Sequence, residues 1–269
     1  MQRWSLHITL MILSSFFSTA MAADFGHVTV ADPILGLRDI VYEKKEGYAV
    51  VESDILLEKL STSSEKNAHV PRALILSKLG GDRWPEGVIP FEIDSHLPLA
   101  NKIAALEAME VWQKNTQVKF VELNPSNRNQ YQDYLLFTPI EGTTCASYVG
   151  KQNGAQVVKL SPRCQTMNTA HEIGHALGLW HEQSRADRDQ YIQIVWENID
   201  EKYIYNFNQH LSDGQDFGDY DYQSIMHYTD HAFSKNGERT IIPLHEDVEI
   251  GQRDHLSSKD IAAVNAMYP

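Results

Sequence analysis

The sequence predicts an α+β fold, and three observations carry that expectation. Runs with strand character at 88–93, 118–123, 134–138, 146–149 and 156–160 fill the first part of the main domain, and most of the helical character comes later. Strands first and helices later favour segregated elements over an alternating parallel architecture. No internal repeat interrupts the order. The 269 residues, 42% hydrophobic and 22% charged, suit one or two globular units. A net charge of −13 argues against nucleic acid or an anionic membrane surface as the main partner, since both reward basic patches.

In chain order, Arg3, an apolar run from Leu6 to Phe17 and Ala20-Met21-Ala22 form a basic head, a short apolar core and a small-x-small site. This is the pattern of a secretory signal peptide, assigned to residues 1–22, with an uncleaved anchor as the alternative. The remaining stretches are too polar or too short to span a bilayer. The expectation is therefore a secreted or periplasmic protein with no stable membrane insertion after cleavage. Residues 23–72 are polar and mixed apart from Ile55, Leu56 and Leu57. Residues 61–67 have linker composition, and Val70-Pro71-Arg72 offers a basic site for proteolytic nicking. This segment is expected to lie outside the main core; a small binding domain is the alternative, though it is short for an independent core.

Residues 73–269 form the main domain. Arg83-Trp84-Pro85-Glu86-Gly87 makes a turn into the first strand. Ile103, Leu106, Met109 and Trp112 recur every three residues and suit a helix over 97–114. Asn124-Pro125-Ser126-Asn127 turns the chain, and Gln152-Asn153-Gly154 gives a hairpin-like signal. Cys145 and Cys164 are the only cysteines, and in an exported chain they most simply form one disulfide. A role for either as a metal ligand or inhibitory thiol is the alternative. Residues 198–211 have a helical look, and 213–221 should be loop. Ser257 caps a final helix with Asp260 three residues on and Ile261, Val264 and Met267 as its stripe.

The chemistry concentrates in His171-Glu172-Ile173-Gly174-His175-Ala176-Leu177-Gly178-Leu179-Trp180-His181-Glu182. On a helix His171 and His175 project from one face, one turn apart, and can share one divalent metal. Gly178 can adopt positive φ and turn the chain back, so that His181 completes a three-histidine site with one position open. Three protein ligands and an open position describe a catalytic zinc, one per chain. Glu172 is rotated about 100° from His171, so it flanks the metal as general base and acid. Thr166 or Asn168 can cap this helix. Thr169 and Glu172 have capping-box spacing, which would divert the Glu172 carboxylate, so the cap is expected earlier. Glu197, 22 residues beyond His175, is a conceivable third ligand in another peptidase class, but His181 makes it redundant.

The full string is the metzincin signature. Further stretches carry a more specific resemblance: Trp84-Pro85-Glu86-Gly87-Val88-Ile89-Pro90-Phe91, Cys145 with Ser147-Tyr148-Val149-Gly150, Asp187-Arg188-Asp189, Trp196-Glu197-Asn198-Ile199, Ser224-Ile225-Met226-His227-Tyr228, Phe233-Ser234 and Ile250-Gly251-Gln252. Over roughly its last three-quarters the chain resembles the astacin-type zinc endopeptidases.

That resemblance implies a two-subdomain protease. A mixed twisted sheet with two long helices would form the N-terminal half, and a largely irregular C-terminal half would end in a helix. It implies that His171, His175 and His181 bind zinc with Glu172 as the base. Tyr228 would ligate zinc at rest and swing away to stabilise the transition state, and Met226 would support the site. Ala146, Ser147 and Tyr148 would form an exposed edge strand for extended substrate, a protein or peptide. Glu182 would anchor the new amino terminus after propeptide removal. Residues 23–72 would be an inhibitory propeptide acting on its own protease in a latent, monomeric zymogen. In the family's F-x-G-D motif the aspartate blocks the zinc. Here Val51-Glu52-Ser53-Asp54 keeps Asp54 but replaces the Phe and the Gly. The family's usual second disulfide also lacks its cysteines. A non-catalytic secreted module that merely keeps a zinc fold is the alternative function, and it would have no use for Glu172.

Overall fold

The computed structural model describes residues 24–32, 36–60 and 82–269. The expected signal peptide, the linker at 61–67 and Val70-Pro71-Arg72 lie outside these residues. The N-terminal segment lies outside the main core, as expected, but it is folded and packed onto the main domain in two small clusters of its own. Phe25–Asp32 (β1), Gly36–Lys45 (β2), Tyr48–Val51 (β3) and Ile55–Lys59 (β4) form an antiparallel meander. Its tip residues Tyr48, Val50, Val51, Ile55 and Leu56 are buried against Ala146 and Val149. The β-branched and aromatic run Tyr48-Ala49-Val50-Val51 is what favours strand here, and burying it needs the larger domain as a partner.

The main domain contributes five strands, Val88–Ile93 (β5), Lys119–Glu122 (β6), Tyr134–Pro139 (β7), Cys145–Ser147 (β8) and Ala155–Leu160 (β9). With the meander they make one nine-stranded sheet in the order β1-β2-β3-β4-β8-β9-β7-β5-β6. Pairings β9–β7, β7–β5 and β5–β6 are parallel, whereas β8 runs antiparallel to β9. This is the mixed sheet of an α+β fold.

Two helices pack on the sheet. Leu99–Asn115 (α1) forms close to its expected span, but the apolar stripe that marks it is split. Met109 and Trp112 are buried, whereas Ile103 and Leu106 are 48% and 49% exposed. The buried face is completed by Asn101, Ala104, Ala105 and Ala108. Small side chains on that face let α1 approach Thr166–Leu177 (α2) closely, and Trp112 Nε1 donates to Ala170 O at 2.9 Å. The cap of α2 is Gln165, without a side-chain hydrogen bond, so neither Thr166 nor Asn168 serves. The Thr169 hydroxyl instead donates back to Gln165 O at 3.0 Å, and the Glu172 carboxylate is left out of any capping box. A disulfide joins Cys145 to Cys164.

Beyond α2 regular structure thins. Ile192–Ile194 (β10) and Ile241–Pro243 (β11) pair antiparallel, and the helical look of 198–211 resolves into short 3-10 turns, the longest being Glu201–Phe207. Ile192, Ile199, Phe207, Tyr220, Tyr228 and Ile241 form a second core there. Ser258–Met267 (α3) closes the domain under a Ser257–Asp260 capping box. Asp260 also accepts from Ser224 Oγ at 2.6 Å and Ile225 N at 2.9 Å, tying this helix to the turn beneath the histidines. Among the described residues, no helix is long and apolar enough to cross a membrane.

Candidate metal centre

Gly178 shapes the centre. At φ +111° it ends α2 in a left-handed cap, its N–H donating to His175 O at 2.8 Å. That conformation costs an L-residue about 1–2 kcal/mol and glycine almost nothing. The carbonyls around this end are held by side chains from distant parts of the domain. Trp84 Nε1 donates to Ala176 O at 2.8 Å, and the Tyr268 hydroxyl donates to Leu177 O at 2.8 Å. The chain then doubles back and brings His181 to the other two histidines.

Each imidazole is oriented from behind. His171 Nδ1 donates to Ile225 O at 2.8 Å, His175 Nδ1 to Leu179 O at 2.8 Å, and His181 Nδ1 to Glu52 Oε2 at 2.7 Å. With the proton on Nδ1, each Nε2 presents a lone pair, the state a metal ligand needs. His171 Nε2 and His181 Nε2 face each other at 3.3 Å, and buried His175 Nε2 has no hydrogen-bond partner. Lone pairs converging in a buried space call for a cation. Asp54 completes the group: its carboxylate lies 3.4 Å from His171 Nε2, 3.7 Å from His175 Nε2 and 3.3 Å from His181 Nε2. One donor atom from each of these four residues lies within 4.8 Å of the rest. Three nitrogens and one carboxylate oxygen suit zinc.

Electrostatics follow the burial. Burial pushes His171 down to about 4. At His181 burial works the same way, but the Asp54 and Glu52 carboxylates outweigh it and favour positive charge on this ring, a demand that a cation on Nε2 would meet in place of a proton. Burial, reinforced by Asp54, drives Glu172 well above the usual carboxylate range. Its Oε2 is buried without a partner, beside a cavity of about 250 Å³ lined by Asp54, Thr144, Asn168, His171 and Arg253.

The remaining expected residues are gathered nearby. Met226 lies beneath α2, its Sδ 2.7 Å from where a Cβ on Gly174 would be, so Gly174 makes room for it between the two helical histidines. The Tyr228 hydroxyl donates to Glu52 O at 2.7 Å, and Asp54 takes the fourth place among the candidate ligands. Ala146 and Ser147 lie in β8, with Tyr148 just past its end, yet β8 is no open edge: Ser147 N donates to Asp54 O at 2.9 Å and β4 runs parallel beside it. The N-terminal segment thus covers the face expected to be exposed. Glu182 accepts from Asp221 N at 2.7 Å and lies 3.5 Å from Arg185 Nη1. Burial pushes it up to about 8, at the wall of a cavity of about 610 Å³ shared with Asp221, Lys259 and Asp260.

Glu52 and Arg253 are the residues that motif reading passes over. Glu52 occupies a variable motif position, where the one signal is a charge between Val51 and the apolar run from Ile55. Arg253 directly follows the Ile250-Gly251-Gln252 motif and donates to His227 O at 3.0 Å, behind Tyr228.

A mixed sheet over the H-E-x-x-H helix, a third histidine returned by glycine and a methionine turn below define the metzincin class of zinc peptidases. Comparison with known proteins narrows the class. The family model for Astacin, a peptidase family, matches residues 77–269. Zinc metalloproteinase nas-4 of Caenorhabditis elegans is 39% identical over 226 residues, covering 81% of this chain and 68% of that protein. Tolloid-like protein 1 of Mus musculus is 37% identical over 219 residues, covering 78% of this chain and 21% of that much longer protein. Among solved structures, High choriolytic enzyme 1, a hatching enzyme zinc-protease from Oryzias latipes, superposes with a TM-score of 0.61 at 34% identity, over 69% of this chain and 92% of that one. The chain belongs to the astacin family and is a zinc metalloendopeptidase.

Proposed function

We propose that the protein is exported through residues 1–22 as a latent zymogen. Residues 23–72 serve as its inhibitory propeptide, and residues 73–269 hydrolyse peptide bonds in protein or peptide substrates outside the cytoplasm. The observation that carries this reading is Asp54, which lies among the Nε2 atoms of His171, His175 and His181 while its own backbone occupies the edge of β8. A carboxylate from one segment fills the coordination position that catalysis by another requires to be open.

His171, His175 and His181 would hold the metal, and zinc bound there supplies Lewis acidity to the scissile carbonyl and the attacking water. The other steps fall to side chains. Glu172 takes the proton from the water and delivers it to the leaving amine. The Tyr228 hydroxyl, released from Glu52 O when the propeptide leaves, turns toward the oxyanion that develops on the carbonyl. Substrate lies extended along Ala146, Ser147 and Tyr148 in the place of β4. Glu182, buried and raised toward neutrality, gains an amino-terminal cation once the linker is cut, and the cavity beside it has room for the new chain end.

The test is mass-spectrometric mapping of cleavage in a peptide library, using the full chain before and after limited proteolysis of the linker, with and without chelator. Cleavage should appear only after nicking, vanish with chelator, and be lost in Glu172→Ala while zinc remains bound. No cleavage by the nicked wild type, with the protein's biological effect unchanged in Glu172→Ala, would leave the zinc-fold binding module as the better description.

A further inference from the structure

We propose that Glu52 is a second anchor of the propeptide, seated in a carboxylate-binding cage that works independently of the metal. The inference rests on reading residues 23–72 as the inhibitory segment.

The turn between β3 and β4 is built to aim two carboxylates in one direction. Glu52 and Ser53 both have positive φ, +47° and +70°, an uncommon pair for residues with side chains. The result is that Asp54 faces the histidine Nε2 atoms while Glu52 passes beside them and enters the protease wall. There Glu52 is 4% exposed. Oε2 accepts from His181 Nδ1 at 2.7 Å and from Ser184 Oγ at 3.2 Å, and Oε1 accepts from His210 Nε2 at 2.5 Å. Its carbonyl accepts from the Tyr228 hydroxyl. The cage is itself supported: the His210 ring lies 3.9 Å from the Trp180 ring, and His210 Nδ1 pairs with Asp213 Oδ1 at 3.0 Å.

The two carboxylates therefore divide the work. Asp54 is aimed only at the histidine Nε2 atoms, so its attraction depends on the cation between them. Glu52 meets the far side of His181 and two groups, Ser184 and His210, that face no metal. Charge-assisted hydrogen bonds in a buried site are among the strongest a protein makes. Glu52 also distinguishes His181 from the other two ligands. The partners behind His171 and His175 are carbonyls of the protease itself, whereas the partner behind His181 departs with the propeptide.

The test uses the full chain nicked in the linker, with the propeptide left bound by non-covalent contacts. Its release is followed by native mass spectrometry, which needs no activity. Wild type should keep its propeptide when zinc is chelated. Glu52→Gln should speed release at least about tenfold, with or without zinc. Asp54→Asn should speed it only with zinc present. His210→Gln should match Glu52→Gln, and the double variant should add little. Release from Glu52→Gln at the wild-type rate, or release by chelation alone as fast as from Glu52→Gln, overturns the proposal. A separate control isolates the reading beneath it: if the un-nicked chain cleaves peptides as fast as the released protease, the propeptide is no inhibitor at all.

Discussion

Gly174 sits between two metal-binding histidines on α2, where helix propensity and packing pull in opposite directions. Replacing it with alanine should gain about 1 kcal/mol of helix propensity. The new Cβ, however, would lie 2.7 Å from Met226 Sδ, 3.4 Å from Trp112 Cζ2 and 3.5 Å from Met226 Cε. Comfortable carbon contacts fall at about 3.5–4.0 Å, so the sulfur must retreat by roughly 1 Å. Met226 is 1% exposed and Trp112 is fully buried, leaving little free volume to retreat into. Overpacking of this kind costs about 1–3 kcal/mol, which outweighs the propensity gain in most of that range. We expect Gly174→Ala to destabilise the full chain by about 1 kcal/mol in urea unfolding at constant zinc. The decisive measurement is a double-mutant cycle. In a Met226→Ala background the clash is gone, and Gly174→Ala should stabilise by about 1 kcal/mol. Equal effects in the two backgrounds would refute the reasoning, because Met226 would then not be what glycine makes room for.

Three further outcomes are expected. Converting both Cys145 and Cys164 to serine should cost about 3 kcal/mol in denaturant unfolding, the chain-entropy value for a loop of this size. The Arg185 guanidinium grips Asp187 through two bonds of 2.8 Å and holds its carboxyl below the ordinary carboxylate value. The stability this pair contributes is thus fully present above the unfolded carboxylate pKa and is lost as pH falls through the lower folded one. Asp187→Asn should give a shallower acid limb in a plot of melting temperature against pH. Raising free zinc to 100 times its dissociation constant should add about 2.7 kcal/mol to the stability of the full chain, measured as a concentration-dependent melting temperature that chelator reverses.

Much of the site was legible because its parts obey local rules. Two histidines one turn apart and a glycine able to take positive φ specify convergence with little help from tertiary context, and the structure gives Gly178 a φ of +111°. The main-domain strands were legible because each apolar run is bounded by turn residues. What was not legible depends on distant partners. Ile103 and Leu106 look like a core stripe by period, but the side of α1 that faces α2 is chosen by three alanines, which count little in any hydrophobic pattern. The strands of the N-terminal meander do not show in its polar, mixed sequence because they are completed by β8, almost a hundred residues on. Glu52 is the clearest case. Its neighbourhood points to Asp54 rather than to Glu52 itself, and its partners His181, Ser184, His210 and Tyr228 come together only in the fold.

The carbonyls that finish the metal-binding helix carry a consequence for biogenesis. Ala176 O is held by Trp84 and Leu177 O by Tyr268, so the helix is completed by residues about ninety positions before and after it. A chain made from its amino-terminal end presents residues 23–72 first, then the histidines, and Tyr268 last. The cleft thus reaches its finished form only after Glu52 and Asp54 have been made, so on the proposed reading of residues 23–72 the order of synthesis puts the inhibitor ahead of the site it fills.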